Sequence, residues 1–324
     1  MNDPADWRPT ATLAVLRRRA ECLAWTREFF RARNVLEVET PALVNAPVSD
    51  VNLGSVRVDL PGHPRPLWLH TSPEYAMKRL LAAGSGDIYQ LCRVYRGAER
   101  GRQHNPEFTM LEWYRLGFSL DDLMNEVAAL VRGLLGAAGA GLPVEFVSYV
   151  EALRLHADID PFGDVAPLRS AARALGFDAV QAQSVGRDEL LDLIVGAQVG
   201  PALGANALTF LHRYPASQAA LARLDPADSR VALRFELYFH GLELANGYHE
   251  LASGAEQRQR FAEDLRQREL RGLPAAALDP RLLAALDAGL PDCAGVALGF
   301  DRVLMLVTGA TNIDQVLSFP VERA

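Results

Sequence analysis

The chain has 324 residues, 49% of them hydrophobic and 23% charged, which is the balance of an ordinary soluble globular protein long enough to bury a large core. Its formal net charge of −7 disfavours nucleic acid as the main partner, although a local basic patch remains compatible with it. No run of 18 apolar residues exists. The nearest, "VAALVRGLLGAAGAGLPV", carries Arg132 and ends in Gly and Pro, so no membrane span is expected.

In chain order, the acidic start "MNDPADWRPT" does not read as a signal peptide, and a cytoplasmic protein is expected. Leu13, Leu16, Ala20, Leu23 and Phe30 predict a helix over 12–33 that stops at Asn34. "VLEVETP" and "PLWLH" read as short strands. "TSPEYAMKRLLAAG" reads as a helix capped by Ser72, with Pro73 in its first turn and Gly84 beyond its end. "IYQLCRVYR" and "FTMLEWYRL" alternate as the strands of a long hairpin with a polar loop over 97–107. That register puts Glu112 and Tyr114 on one face with Phe108 and Met110.

"SLDDLMNEVAALVRGLLG" reads as a capped amphipathic helix and "AAGAGLP" as a linker. Residues of about 140–205 are expected to form a mostly helical insertion without recognisable chemistry. Strands return at "LTFLHRY" and at "VALRFELYFHGLELANGYHEL", the latter turning at His240-Gly241. A charged helix over about 255–271 follows. "CAGVALGFDRVLMLVTG" closes the chain as strand, glycine and apolar helix. The pattern predicts an α+β fold: an antiparallel sheet flanked by helices, in a single domain with one insertion. Cys22, Cys92 and Cys293 lack metal or redox spacing and read as reduced, buried residues. Of 33 basic residues only Lys78 is lysine, a bias that reflects base composition.

Three segments concentrate charge. Arg93 and Arg96 leave a strand into the polar loop, where a guanidinium can grip two oxygens of a phosphate or carboxylate. Taken alone, they also fit a solvated surface hairpin. Glu243 and Glu250 bracket "ELANGYHE". A carboxylate in an apolar strand needs a partner, either a hard cation such as Mg²⁺ or an arginine such as Arg234 or Arg258. "GVALGFDR" places Gly299 at a strand-to-helix turn and Arg302 in the first turn of the helix.

Together and in this order, "VLEVETPAL", "YRGAERGRQHNPEFTMLEWY", "GLELANGYHEL" and "GVALGFDR" resemble motifs one, two and three of class II aminoacyl-tRNA synthetases in their lysine-specific form. The resemblance covers nearly the whole chain and is weakest over 140–205. Motif one begins near Phe29, which leaves no room ahead of it for an anticodon-binding domain. The chain is therefore similar to the stand-alone elongation factor P–lysine ligase family.

That resemblance implies the class II catalytic core, ATP and Mg²⁺ as cofactors, lysine or (R)-β-lysine as amino acid, and elongation factor P as acceptor. It further implies a homodimer through motif one, with tRNA not the substrate. Charging of tRNA and a non-catalytic regulatory subunit are the alternatives. Arg96 would bridge the α-phosphate and the amino-acid carboxylate, with Arg302 as the second catalytic arginine. His104 and Asn105 would meet ATP, and Phe108 and Arg302 would sandwich the adenine. Glu243 with the Leu244 backbone, and Glu250, would hold Mg²⁺ and nucleotide, and Gly299 would let the strand approach the adenylate. Ser72, Pro73 and Glu74 would receive the amino group, and Glu112 and Tyr114 the distal ammonium, with Glu250 and Ala297 also beside the amino acid. Family members carry glutamate where this chain has Ala98, so either Glu99 takes over that ATP contact through a shifted loop or the contact is absent and ATP binds more weakly. Ala297 replaces a glycine usual in lysyl-tRNA synthetases and could shape the pocket for a β-amino acid.

Overall fold

Helix α1 (Leu13–Arg31) starts where the Thr12 hydroxyl accepts the Val15 amide and ends just before Asn34, whose φ of 55° turns the chain. This computed structural model describes residues 7–324 except Ala98; residues 1–6, which hold most of the chain's acidic start, and Ala98 lie outside the described residues. Strand β1 (Leu36–Glu37) is shorter than the sequence suggests. The chain leaves the large sheet there to build a small one from β2 (Leu43–Val44), β3 (Val56–Val58) and β4 (Leu67–Leu69). Helix α2 (Glu74–Ala82) takes Pro73, not Ser72, at its cap position. The Ser72 hydroxyl still accepts the Glu74 amide at 3.0 Å.

Strands β5 (Ile88–Tyr95) and β6 (Glu107–Leu116) form the expected antiparallel hairpin, paired from Ile88 opposite Tyr114 to Tyr95 opposite Glu107. Helix α3 (Leu120–Leu135) opens with a reciprocal Ser119–Asp122 capping box. Next come β7 (Val144–Ser148), helices α4 (Tyr149–Ala157), α5 (Val165–Ala174), α6 (Ala179–Ser184) and α7 (Arg187–Ile194), then β8 (Leu208–Pro215). The short β9 (Leu224–Asp225) precedes the hairpin of β10 (Asp228–Phe239) and β11 (Leu242–His249). That hairpin turns at His240 and Gly241, both with positive φ. Helices α8 (Gly254–Leu270) and α9 (Pro280–Gly289), the second not foreseen, lead to β12 (Cys293–Gly299) and α10 (Phe300–Thr308).

The large sheet runs β1-β5-β6-β12-β11-β10-β8-β7, with β9 beside β10. Its central pairs are antiparallel, as expected for this α+β fold, but the two outermost pairs, β1–β5 and β7–β8, are parallel. Parallel neighbours need a long crossover, and α4–α7 supply it between β7 and β8. These helices bury Tyr149, Leu153 and Leu190 against Leu211 and Tyr214 of β8.

Helices α1, α3 and α10 cover one face of the sheet, where Phe30 stacks on Tyr89 at 4.3 Å and Trp113 is fully buried. No helix among the described residues is long and apolar enough to cross a membrane. Asp301 ties this layer together. It is 1% exposed, accepts from Arg19 at 2.6 Å on α1 and takes the Thr109 amide at 2.7 Å on β6. Replacing Asp301 by alanine strands the Arg19 guanidinium and should cost about 3–5 kcal/mol in urea unfolding. A loss under about 1 kcal/mol would show that the pair does not hold the layer.

Candidate active site

Alternation along the central strands sorts their side chains. On β6, Leu111 and Trp113 enter the core, while Phe108, Met110, Glu112 and Tyr114 line a cavity of about 1070 Å³ on the other face. On β12, Ala294 and Leu298 point to the core, and Gly295, Ala297 and Gly299 to the cavity. Asn246, Tyr248 and Glu250 continue the same face from β11. Every residue assigned a site role from the sequence lines this one space.

One end is cationic. Arg96 lies 5.2 Å over the Phe108 ring and 3.5 Å from Glu99, and its buried Nε has no hydrogen-bond partner. An orphaned guanidinium N–H facing a cavity suits an anionic oxygen. Arg302 donates to the Glu243 carbonyl at 2.8 Å and approaches its carboxylate at 3.5 Å.

Two residues expected at the nucleotide line the cavity and also have partners within the protein. Arg302 Nη2 lies 2.6 Å from His104 Nε2, so the ring accepts there and is neutral; burial, then the Arg302 charge, hold its pKa down. His104 thus helps to position Arg302. Asn105 is 3% exposed and its amide is committed: it donates to the Glu107 carbonyl at 2.7 Å and accepts from the Val321 amide at 3.2 Å. It fastens the loop.

The shared Mg²⁺ site of Glu243 and Glu250 is corrected. Seven residues of extended strand separate them by roughly 23 Å, too far for one cation. Glu243 instead feels Glu236 on the adjoining strand. Its pKa is raised first by burial and then by the Glu236 charge. Glu236 is held by Arg234 at 2.6 Å and by the Tyr238 hydroxyl at 2.7 Å. No group of three or more His, Cys, Asp or Glu among the described residues is arranged for a metal ion. Two repelling carboxylates still fit Mg²⁺, which takes its remaining ligands from phosphate and water.

The other end is acidic and buried. Glu112 is 2% exposed and accepts from the Ser72 hydroxyl and the Tyr114 hydroxyl, each at 2.7 Å. Lys78 Nζ sits 2.6 Å from both Glu74 and Glu250. Burial, with the Glu74 charge next, pushes Glu112 up to about 8; burial also raises Glu250 to about 7, against the pull of Lys78. Glu250 Oε1 has no hydrogen-bond partner. Carboxylates in this state gain most from an incoming ammonium.

Glycine is required beside them. A Cβ on Gly295 would lie 2.3 Å from Tyr114 Cε1 and 2.6 Å from Glu250 Oε1. At Gly299 a Cβ would meet only Arg302, whose Cδ is nearest at 3.5 Å, so nothing in the protein itself excludes a side chain there. The Ala297 methyl lies between Glu112 and Asn246 across the neighbouring strands.

Sequence reasoning missed Glu236, Lys78 and Gly295. Glu236 was legible, since alternation from Arg234 carries it to the strand face of Tyr238. The acids of α7, including Asp188 and Asp192, also line the cavity, so the segment expected to be chemically silent contributes to its wall.

A family profile described as tRNA synthetases class II (D, K and N) matches residues 2–323. The chain belongs to the class II tRNA synthetases. This synthetase is 49% identical over 329 residues to a Klebsiella pneumoniae (strain 342) protein named elongation factor P–(R)-β-lysine ligase, covering the whole of both chains. A Salmonella dublin protein of the same name is 48% identical, again over the whole of both chains.

The raised carboxyl of Glu112 gives the synthetase a pH signature. A folded-state pKa of about 8 against an ordinary 4.5 means the folded protein holds the extra proton between those values. Stability from this group is complete below 4.5 and lost as pH rises toward 8. Glu112→Gln should therefore melt increasingly above the wild type, without ligands, from pH 5 to pH 8. A constant difference across that range would refute the assignment.

Proposed function

We propose that this class II synthetase is an ATP-dependent ligase that activates (R)-β-lysine, or lysine, as an adenylate and transfers it to a lysine of translation elongation factor P. Two facts carry the reading jointly. One cavity joins the arginines to an unfilled ammonium-seeking cluster, and the chain aligns end to end with proteins named for this reaction.

In the first step an amino-acid carboxylate oxygen attacks the α-phosphorus of ATP and pyrophosphate leaves. That carboxylate is ionised at neutral pH, so alignment and charge neutralisation suffice. Arg96 lies against the α-phosphate and the carboxylate, with its free Nε–H available. Arg302, fixed by His104 and Glu243, covers the nucleotide, and Phe108 and Glu99 complete that end, with the Leu244 backbone and Gly299 alongside. Glu236 and Glu243 would hold Mg²⁺, which neutralises phosphate charge.

Ser72, Pro73 and Glu74 receive the amino group. Glu112, Tyr114 and Glu250 receive the distal ammonium. The Ala297 methyl favours a β-amino acid. In the second step the neutral ε-amine of the acceptor attacks the adenylate carbonyl carbon, its proton departs and AMP leaves.

The working form is a cytoplasmic homodimer joined through motif one. Leu36 there is 55% exposed, Leu13 at the start of α1 is 67% exposed, and β1 is an edge strand of the large sheet. The acceptor is a protein and not tRNA.

Incubation with elongation factor P, ATP and (R)-β-lysine should add one aminoacyl mass to the factor. Parallel tRNA should remain uncharged. The enzyme's own single lysine is 2% exposed and does not compete as acceptor. An unmodified factor together with acylated tRNA would replace this reading with tRNA charging. Arg96→Ala should lower ATP–pyrophosphate exchange by about 10²–10³. Its melting temperature should stay close to wild type, because the 3.5 Å contact with Glu99 is part-exposed and weak. Normal exchange would show that Arg96 does not meet the α-phosphate.

A further inference from the structure

Composition and burial converge on one residue that the reaction scheme above does not use. The chain writes 32 of its 33 basic positions as arginine and one, Lys78, as lysine. A compositional bias explains the 32. It does not explain the exception, which is among the most deeply buried charged side chains in the protein at 2% exposure.

Lys78 lies on the inward face of α2, one turn after Glu74. Its ammonium is 2.6 Å from Glu74 Oε1 and 2.6 Å from Glu250 Oε2, so those oxygens lie no further apart than twice that distance. Glu74 belongs to the amino-group end of the amino-acid pocket and Glu250 to the distal end. One cation therefore clamps the two receivers together. Arginine would serve poorly in this position, because its planar fork is larger and directs its donors in a fixed plane, whereas an ammonium is a compact point with three rotatable donors.

The clamp leaves specific valences open. Lys78 occupies one oxygen of Glu250, while Oε1, buried and aimed at the cavity, has no partner. Glu112 beside it is already oriented by Ser72 and Tyr114. Three carboxyl groups meet one resident ammonium, so the pocket has carboxyl oxygens left over for the ammonium groups of a diamino acid.

We infer that Lys78 is a positioning residue for amino-acid selection: it fixes Glu74 and Glu250 at one separation and keeps both ionised, so that only an acid with two correctly spaced ammonium groups completes the pocket. This rests on the proposed ligase reading and deepens it. The titratable groups around Lys78 and its two carboxylate partners are Glu74 and Tyr75 on α2, and Glu112 and Tyr114 on β6. Tyr248 and Glu250 at the end of β11 and Cys293 on β12 complete the set. The two tyrosines nearest Glu112 and Glu250 and the Cys293 thiol are pushed up by burial, leaving the carboxyls as the groups that titrate near neutrality.

The test uses amino-acid-dependent ATP–pyrophosphate exchange with lysine and with (R)-β-lysine in wild type, Lys78→Met and Lys78→Arg. Lys78→Met should raise the KM for the diamino acid by about tenfold or more. The KM for ATP should stay within about twofold. Without the cation Glu250 keeps its proton to higher pH, so the acidic limb of kcat/KM for the amino acid should move up by about one pH unit. Lys78→Arg keeps the charge but not its compact placement; it should raise the same KM while leaving that limb in place.

An unchanged amino-acid KM in either variant, or an ATP KM rising in step with it, overturns the inference. So does a limb that does not move in Lys78→Met. Should Lys78→Met fail to fold by its melting curve, Lys78→Arg decides: wild-type KM there means that a fixed ammonium position is not required. A wild type that shows no exchange with either diamino acid overturns the ligase reading itself, whereas a working wild type with unaffected variants overturns only the role of Lys78.

Discussion

Three carboxylates share one buried wall of the cavity with a single protein cation, and burial without enough counter-charge is the condition that organises this site. Water is largely excluded from Glu112, at 2% exposure, and Glu250, at 3%. Among the described residues their carboxyl groups are held by Ser72, Tyr114 and Lys78. At such a wall, binding energy is largest for the ligand that brings the right number of charges. At the opposite end, Arg96 keeps a buried donor free for an oxygen it does not yet have. The cavity is thus cationic at one end and acidic at the other, and a zwitterionic substrate activated by a polyanion matches that polarity.

The sheet is what lets this imbalance persist. Strict alternation on β6 and β12 sends large apolar side chains to the helical layer and the acids, glycines and small residues to the cavity. The core behind is locked by Trp113, Phe30 and the Asp301 pair. Gly295 shows how closely the two demands meet: Tyr114 and Glu250 pack over the spot where any side chain would stand.

Much of this was legible in the sequence because alternation and caps are local signals. The motif-two hairpin, the His240-Gly241 turn and the shared face of Glu112 and Tyr114 all follow from period two and turn chemistry. The parallel edge pairs were not legible, because they depend on which distant strands a helical crossover brings together. Partner choice inside the site was equally hidden. Spacing suggested Glu243 with Glu250, yet the strand holds them apart, and the charge that acts on Glu243 is that of Glu236 on the paired strand. The protein partners of His104 and Asn105 were hidden too: one anchors Arg302 and the other the loop. Lys78 looked like a remnant of composition, and only three-dimensional packing sets it between two acids.

The account stands on the two charged ends being the two ends of one ligand, and a crystal structure with a non-hydrolysable β-lysyl-adenylate analogue tests that most directly. The analogue should lie along the sheet with its phosphate mimic on Arg96 Nε and its distal ammonium between Glu112 and the free oxygen of Glu250. An analogue bound with that ammonium outside the acidic wall, or with Arg96 still turned to Glu99, would contradict the account.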